Sequence, residues 1–297
     1  YGPQTGEAMF GMVTQGVVSR TVRDSAGLLD AILGPDPAAG YEVGRPGEAF
    51  TSLIARPPGT LRIGFSASSA INASPDPEAV AAMEAAAELL SGLGHQVEEV
   101  TPPHDDEALA KDFLTIWFAQ LYGQVLDAKQ RLGARDSDFE ADTLATAELG
   151  RAAGLPALLT SLGAVNGYIR ALAGFHETYD LFLTPTLAKP PLEVGALTSP
   201  RALQTASRVV AKTHAGKLLA ASGILDQIVA DNLGWVPYTQ LANLTGRPAI
   251  SVPLHWTAAG LPLGVQLIGR PGGEASLFAT ALLLERELTA RNGRGLS

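Results

Sequence analysis

The sequence predicts an α/β protein built on a mixed β-sheet flanked by helices on both faces, and three stretches carry that reading. Leu61-Arg-Ile-Gly-Phe65, an Ala/Leu-rich segment from Pro77 to about Ser91, and Gln96-Val-Glu-Glu-Val100 spell strand, helix, strand. That order is a βαβ crossover, which implies parallel pairing with the helix on one face. Ile250-Ser-Val-Pro-Leu254 and Leu263-Gly-Val-Gln-Leu-Ile268, joined by a turn at Ala258-Ala259-Gly260, read as a hairpin and add antiparallel strands. Between these units lie two long stretches of helical period, about Asp106 to Gln130 and about Phe139 to Glu177.

The remaining elements follow in order. Thr21 is an N-cap for a helix to Leu33, with Asp24 as its reciprocal partner and Gly34-Pro35 as the stop. Val22, Ala26, Leu29 and Leu33 give that helix one apolar face. From Asp36 to Pro58 the text is rich in Pro, Gly and Ala and reads as a connector. Asp76-Pro77-Glu78 supplies a cap, a proline at the first helical position and an acid in the first turn. Tyr179-Asp-Leu-Phe-Leu-Thr-Pro-Thr186 reads as a buried strand that stops at Pro185, leaving Thr184 and Thr186 at its mouth, where α/β folds keep ligands. Ala202 to about Ala221 reads as a helix, and Glu274 to about Glu287 as the closing one. No repeat or low-complexity tract interrupts the chain, so residues 1–297 are expected to form one domain.

Composition narrows the function. With 297 residues, 46% of them hydrophobic, the chain can bury a substantial core. A formal charge of −9, a pI near 5.0 and scattered Lys and Arg argue against nucleic acid as a partner. No apolar run reaches the ~18 residues of a membrane span, and the N-terminus has no signal-peptide pattern, so the expectation is a cytoplasmic protein without a membrane partner. The absence of cysteine excludes disulfides, thiolate metal sites and a Cys nucleophile. A start at Tyr1 rather than Met reads as a processed, split or partial chain.

Local signatures of catalysis are missing. There is no Gly-x-Ser-x-Gly elbow and no Ser-x-x-Lys pair. Thr186-Leu-Ala-Lys189 has the latter spacing with threonine, but Pro190-Pro191 forbids a helix that would align the two, so it reads as a loop. The five histidines are widely spaced, and His104-Asp105-Asp106-Glu107 reads as a helix cap in preference to a hard-metal cluster. No metal and no cofactor is expected. Asn243-Leu-Thr245 fits a glycosylation acceptor, yet reads better as the turn before a strand.

Five segments, in order, resemble the amidase-signature family of serine hydrolases. They are Gly16 to Asp30, Leu61-Arg-Ile-Gly64, Leu93-Gly-His-Gln-Val-Glu98, Tyr179 to Thr186, and Tyr238 to Gly269 with its core Asn243-Leu-Thr-Gly-Arg-Pro-Ala-Ile-Ser-Val-Pro253. Val18 to Asp24 and Thr184 to Pro191 most resemble bacterial amidases related to 6-aminohexanoate cyclic-dimer hydrolase. The resemblance implies carboxamide hydrolysis by a serine nucleophile, a second serine on a cis peptide and a neutral lysine, with backbone N–H groups for the oxyanion. The Gly/Ser-rich block that carries those groups occurs nowhere in these residues, so the resemblance implies a C-terminal portion whose catalytic groups lie upstream.

No catalytic residue is therefore assigned. The pocket candidates are Thr184 and Thr186 at the strand mouth, Tyr238 and Asn243 before the Pro-Ala-Ile-Ser strand, and Trp117 and Tyr122 on a variable helix. The competing structural reading is turn hydrogen bonds for Thr184, Thr186 and Asn243 and core packing for the aromatics. The implied partners are a small-molecule amide and either the chain's own N-terminal half or a second copy. A split-enzyme subunit and a noncatalytic binding module are the alternatives. Without the missing strands an unpaired sheet edge should remain, and the isolated chain is expected to associate.

Overall fold

The computed structural model describes residues 6–35, 38, 40, 44, 46–223 and 229–292. The expected sheet is present. It has five strands, β1 (Arg62–Phe65), β2 (Gln96–Glu99), β3 (Leu181–Pro185), β4 (Ala249–Trp256) and β5 (Pro262–Gly269), in the order β2-β1-β3-β5-β4. β1 pairs in parallel with β2 and β3, whereas β5 runs antiparallel to both β3 and β4. The C-terminal ends of β1, β2 and β3 therefore open on one side of the sheet.

The strand sequences explain the layers. Ile63, Leu181, Leu183, Val265 and Leu267 point to one face, where helix α3 (Pro77–Gly92) and the closing helix Glu274–Asn292 cover them. Phe182 and Ile268 point to the other, under α4 (Asp106–Leu132), α5 (Ala141–Thr178) and the short helix Gln240–Thr245. Burying each such side chain contributes about 2 kcal/mol, more than the ~1 kcal/mol range of strand propensity, so packing fixes which face each residue takes. A third layer places α1 (Val22–Ile32) and α2 (Phe50–Leu53) over Val252 of β4 and Phe278 of the closing helix.

Caps set the helix starts as the sequence implies. Asp24 N donates to Thr21 Oγ1 at 3.0 Å, Glu78 N to Asp76 Oδ1 at 2.9 Å, and Ala108 N to Asp105 Oδ1 at 3.0 Å. α4 and α5 cross closely at Gly150, where a Cβ would lie 2.0 Å from the Phe118 carbonyl oxygen. α5 bends where Gly154 adopts φ 73° just before Pro156. By length and composition alone α5 could cross a membrane; only 17% of its most apolar stretch is buried inside the protein, and its buried residues pack along α4 and under the sheet.

Three expectations are corrected. The connector from Asp36 to Pro58, partly outside the described residues, contains α2, whose Phe50 and Thr51 amides are held by the Asp30 carboxylate at 2.7 and 3.0 Å. The helix expected from Ala202 to Ala221 is two, α6 (Arg201–Thr213) and α7 (Gly216–Ala221), separated by His214 at φ 54°. The break is held by Glu148 of α5, which accepts from Gly216 N at 3.0 Å and lies 3.4 Å from His214 Nδ1. Asn243 does not sit in a turn: it belongs to the helix Gln240–Thr245, and the turn falls on Gly246, whose φ of 62° only glycine adopts without strain.

Candidate functional site

At the open ends of the parallel strands, three segments knot together. The ladder continues past β1, as Ser66 N donates to Leu183 O at 3.0 Å. Beyond it the loop of residues 67–76 is tied at four points. Tyr238 Oη donates to Ala67 O at 2.8 Å, and Asp106 Oδ2 accepts from Ser69 Oγ at 2.5 Å and from Ala70 N at 2.9 Å. Asn72 Nδ2 donates to Gly234 O at 2.7 Å, and Asp76 N to Ala188 O at 2.7 Å. Ala188 N in turn donates to Trp235 O at 2.9 Å, so the exit of β3 and residues 234–238 are held to the same loop.

Beneath this knot a row of polar side chains crosses an otherwise apolar sheet face. Gln266 of β5 donates through Nε2 to Thr184 Oγ1 at 3.2 Å and to Tyr238 O at 3.0 Å, while Thr184 Oγ1 donates to Pro185 O at 2.9 Å. Thr184, Gln266 and Tyr238 are all buried, and a polar group buried without partners would cost about 1–3 kcal/mol, so these bonds hold the three in one arrangement. Burial, helped by the negative charge of Asp106, pushes the Tyr238 phenol up to about 12, which keeps it a neutral donor at physiological pH.

One step along the strands, Thr186 Oγ1 and Ser251 Oγ lie 2.7 Å apart, joining the exit of β3 to strand β4. Gly264 makes room for this pair, since a Cβ there would stand 2.6 Å from Ser251 Oγ and 3.1 Å from Thr186 Oγ1. Among the described residues no lysine, histidine or carboxylate hydrogen-bonds to Thr184, Thr186 or Ser251, so the arrangement offers hydroxyl and amide groups for binding rather than an activated nucleophile. No group of three or more His, Cys, Asp or Glu is placed to hold a metal among the described residues.

The six pocket candidates divide. Thr184 and Tyr238 join through Gln266, and Thr186 stands beside them with Ser251. Asn243 is exposed and uses Nδ2 to hold Met12 O at 2.9 Å, which ties the N-terminal segment to the Gln240–Thr245 helix. Trp117 makes tilted ring contacts with Phe113 and Phe118 on α4, and Tyr122 packs beside Val125, Leu144 and Ala147, both outside this network. Thr245 is buried and bonds Leu241 O at 2.6 Å, which closes the Asn243 sequon inside a helix. Lys189 lies in a non-helical strap with its ammonium 5.0 Å from the Trp235 ring centroid. Sequence reasoning missed Gln266 and Ser251. Gln266 had a signal, as a lone polar residue at an inward position of an apolar strand.

Comparison with known proteins decides the family. The Amidase family profile matches residues 4–278. The chain belongs to the amidase family. Among curated relatives, 6-aminohexanoate-cyclic-dimer hydrolase of Pseudomonas sp. (strain NK87) is 26% identical over 285 residues, covering 94% of this chain and 54% of that protein. The enzyme of the same description from Paenarthrobacter ureafaciens is also 26% identical over 285 residues. The chain thus spans about half the length of the curated relatives it matches. A solved structure of 6-aminohexanoate cyclic dimer hydrolase superposes with a TM-score of 0.76 at 25% identity, covering 91% of this amidase-family chain and 54% of the other. A bacterial aryl acylamidase of the amidase signature family shares the fold, with a TM-score of 0.70 at 21% identity.

Proposed function

We propose that this chain is the C-terminal portion of an amidase-signature amidohydrolase that cleaves carboxamide C–N bonds, with the serine, cis-serine and lysine supplied by sequence outside these 297 residues. The observation that carries the reading is the coincidence of a family match over residues 4–278 with coverage of only 54% of the relatives and no Gly/Ser-rich nucleophile block. On this reading residues 1–297 belong to one cytoplasmic domain, and the chain alone is inactive.

Its contribution is the scaffold and one wall of the pocket. Thr184, Gln266 and Tyr238 fix the floor of the mouth, while the Thr186–Ser251 pair faces the open side of β4 and offers hydroxyl groups to an amide substrate. Aliphatic amides are the substrate class to try first, because the relatives' descriptions name 6-aminohexanoate cyclic dimer. A split enzyme is the second reading, favoured by the unpaired edge of β4, to which a separate chain could add strands. The test is the intact mass of the native protein from its source together with aryl or alkyl amide turnover. A mass well above 30.8 kDa with activity supports the first reading. Activity at 30.8 kDa only with a co-purifying chain supports the second, and inactivity of the complete native protein contradicts both, leaving a noncatalytic module.

A further inference from the structure

On the face of the sheet away from α4 and α5, a cleft of ≈ 320 Å³ opens between α3, the ends of β1 and β2, and the loop of residues 67–75. This lies at the lower end of the range for small-ligand pockets, about 300–1,000 Å³. Its walls are of two kinds. Phe65, Val80 and Met83 give an apolar side, and Glu84 and Glu99 stand at the rim. The register makes this specific: Phe65 pairs with Glu99 across β1 and β2, so ring and carboxylate sit opposite each other on the α3 face, and Glu84 adds a second carboxylate from the helix. The adjacent Glu98 points to the other face and pairs with Arg62 at 3.3 Å, whereas among the described residues neither Glu84 nor Glu99 has a cationic partner. The loop wall is already tied down through Ser69 to Asp106, Asn72 to Gly234 and Asp76 to Ala188, so little ordering is needed on binding.

We propose that this cleft binds an organic ammonium ion, with its apolar stem against Phe65 and Met83 and its charged head between Glu84 and Glu99. The two carboxylates supply charge-assisted hydrogen bonds, and the aromatic ring adds a cation–π contact for the carbons beside the nitrogen. A neutral stem of the same shape would keep only the apolar contact, and an anion would be repelled. The proposal does not rest on the amidase reading, because it uses no hydrolytic group; the cleft shares the loop of residues 67–76 with the mouth but not Thr184, Thr186, Ser251 or Gln266.

Methyl NMR of the full chain tests it with benzylammonium as the probe. Of the three methionines, Met83 lines the cleft, while Met9 and Met12 lie in the cluster on the opposite face. Benzylammonium should shift the Met83 methyl saturably and leave Met9 and Met12 in place. Benzyl alcohol, and the double variant Glu84→Gln/Glu99→Gln titrated with benzylammonium, should each bind about tenfold more weakly or worse. Both glutamates are exposed, so the variant should keep the wild-type Tm. An unmoved Met83 methyl, or equal titration by the alcohol or by the double variant, would overturn the proposal.

Discussion

The two edges of the sheet are built differently. β2 is four residues long, and three of them, Gln96, Glu98 and Glu99, are exposed and polar, two with a negative charge. β4 is eight residues long, Ala-Ile-Ser-Val-Pro-Leu-His-Trp, with no Lys, Arg, Asp or Glu. Short, charged edges resist further pairing, while long uncharged ones invite it. Pro253 and the irregular register between Pro253 and His255 blunt the far half of β4, but Ala249 to Val252 stays open, with Ala249 and Ser251 exposed. The difference teaches that β2 is built to end the sheet, whereas β4 has the features of an edge that can be extended, as the proposed function requires. That fits a chain whose curated relatives are about twice its length, and on the proposed reading it places the Thr186–Ser251 pair beside the edge that added strands would extend.

The largest effect should come from blocking that edge. The isolated chain is expected to sediment as a dimer or larger species, and Ser251→Lys should return it to roughly half that mass or less. Gln96→Lys on β2 should change nothing, and an equal response at both edges would break the comparison. Next comes the closed interior. Gly150→Ala places a Cβ 2.0 Å from the Phe118 oxygen, with backbone on both sides of the α4–α5 crossing, and should cost about 3 kcal/mol in denaturant unfolding without altering association.

A smaller effect is expected at the buried carboxylate of Glu148. Burial alone would raise its pKa, but hydrogen bonds from Arg151, Gly216 N and His214 prevail and hold it below the ordinary carboxylate value. Arg151 Nε and an Nη approach it at 2.7 Å each, so Glu148→Gln should cost about 2 kcal/mol at neutral pH. Because the folded pKa is lowered, this stability is complete above the ordinary value of 4.5 and is lost as pH falls through the folded one. Wild type and Glu148→Gln should therefore converge in Tm on acidification. The smallest change, about 1 kcal/mol, is expected from Gly264→Ala, which forces Thr186 and Ser251 apart and should weaken the link between the mouth and β4. Loss of protection of the β4 amides in hydrogen exchange, with β2 unaffected, would show that the link is local.

Much of this fold is legible in local sequence. Thr21, Asp76 and Asp105 mark helix starts because capping is a short-range interaction, and β3 is visible as a short, nearly continuous apolar run because a strand covered on both faces needs apolar residues at every position. What escaped depends on distant partners. α2 exists because the Asp30 carboxylate, twenty residues away, holds its first amides, and the α6–α7 break is set by Glu148 on another helix. The same holds at the candidate site. Thr184 and Thr186 are visible at a strand end, but their partners Gln266 and Ser251 come from strands whose register no local pattern specifies.

The most direct measurement is to treat the purified 297-residue chain with an excess of a serine-reactive fluorophosphonate and to follow its mass and its hydrolysis of a simple aryl amide. The account predicts an unmodified mass of 30.8 kDa and no turnover, because on the proposed reading the nucleophile and its base are supplied by sequence outside these residues. A one-to-one adduct on a single serine, accompanied by amide hydrolysis that the adduct abolishes, would contradict it.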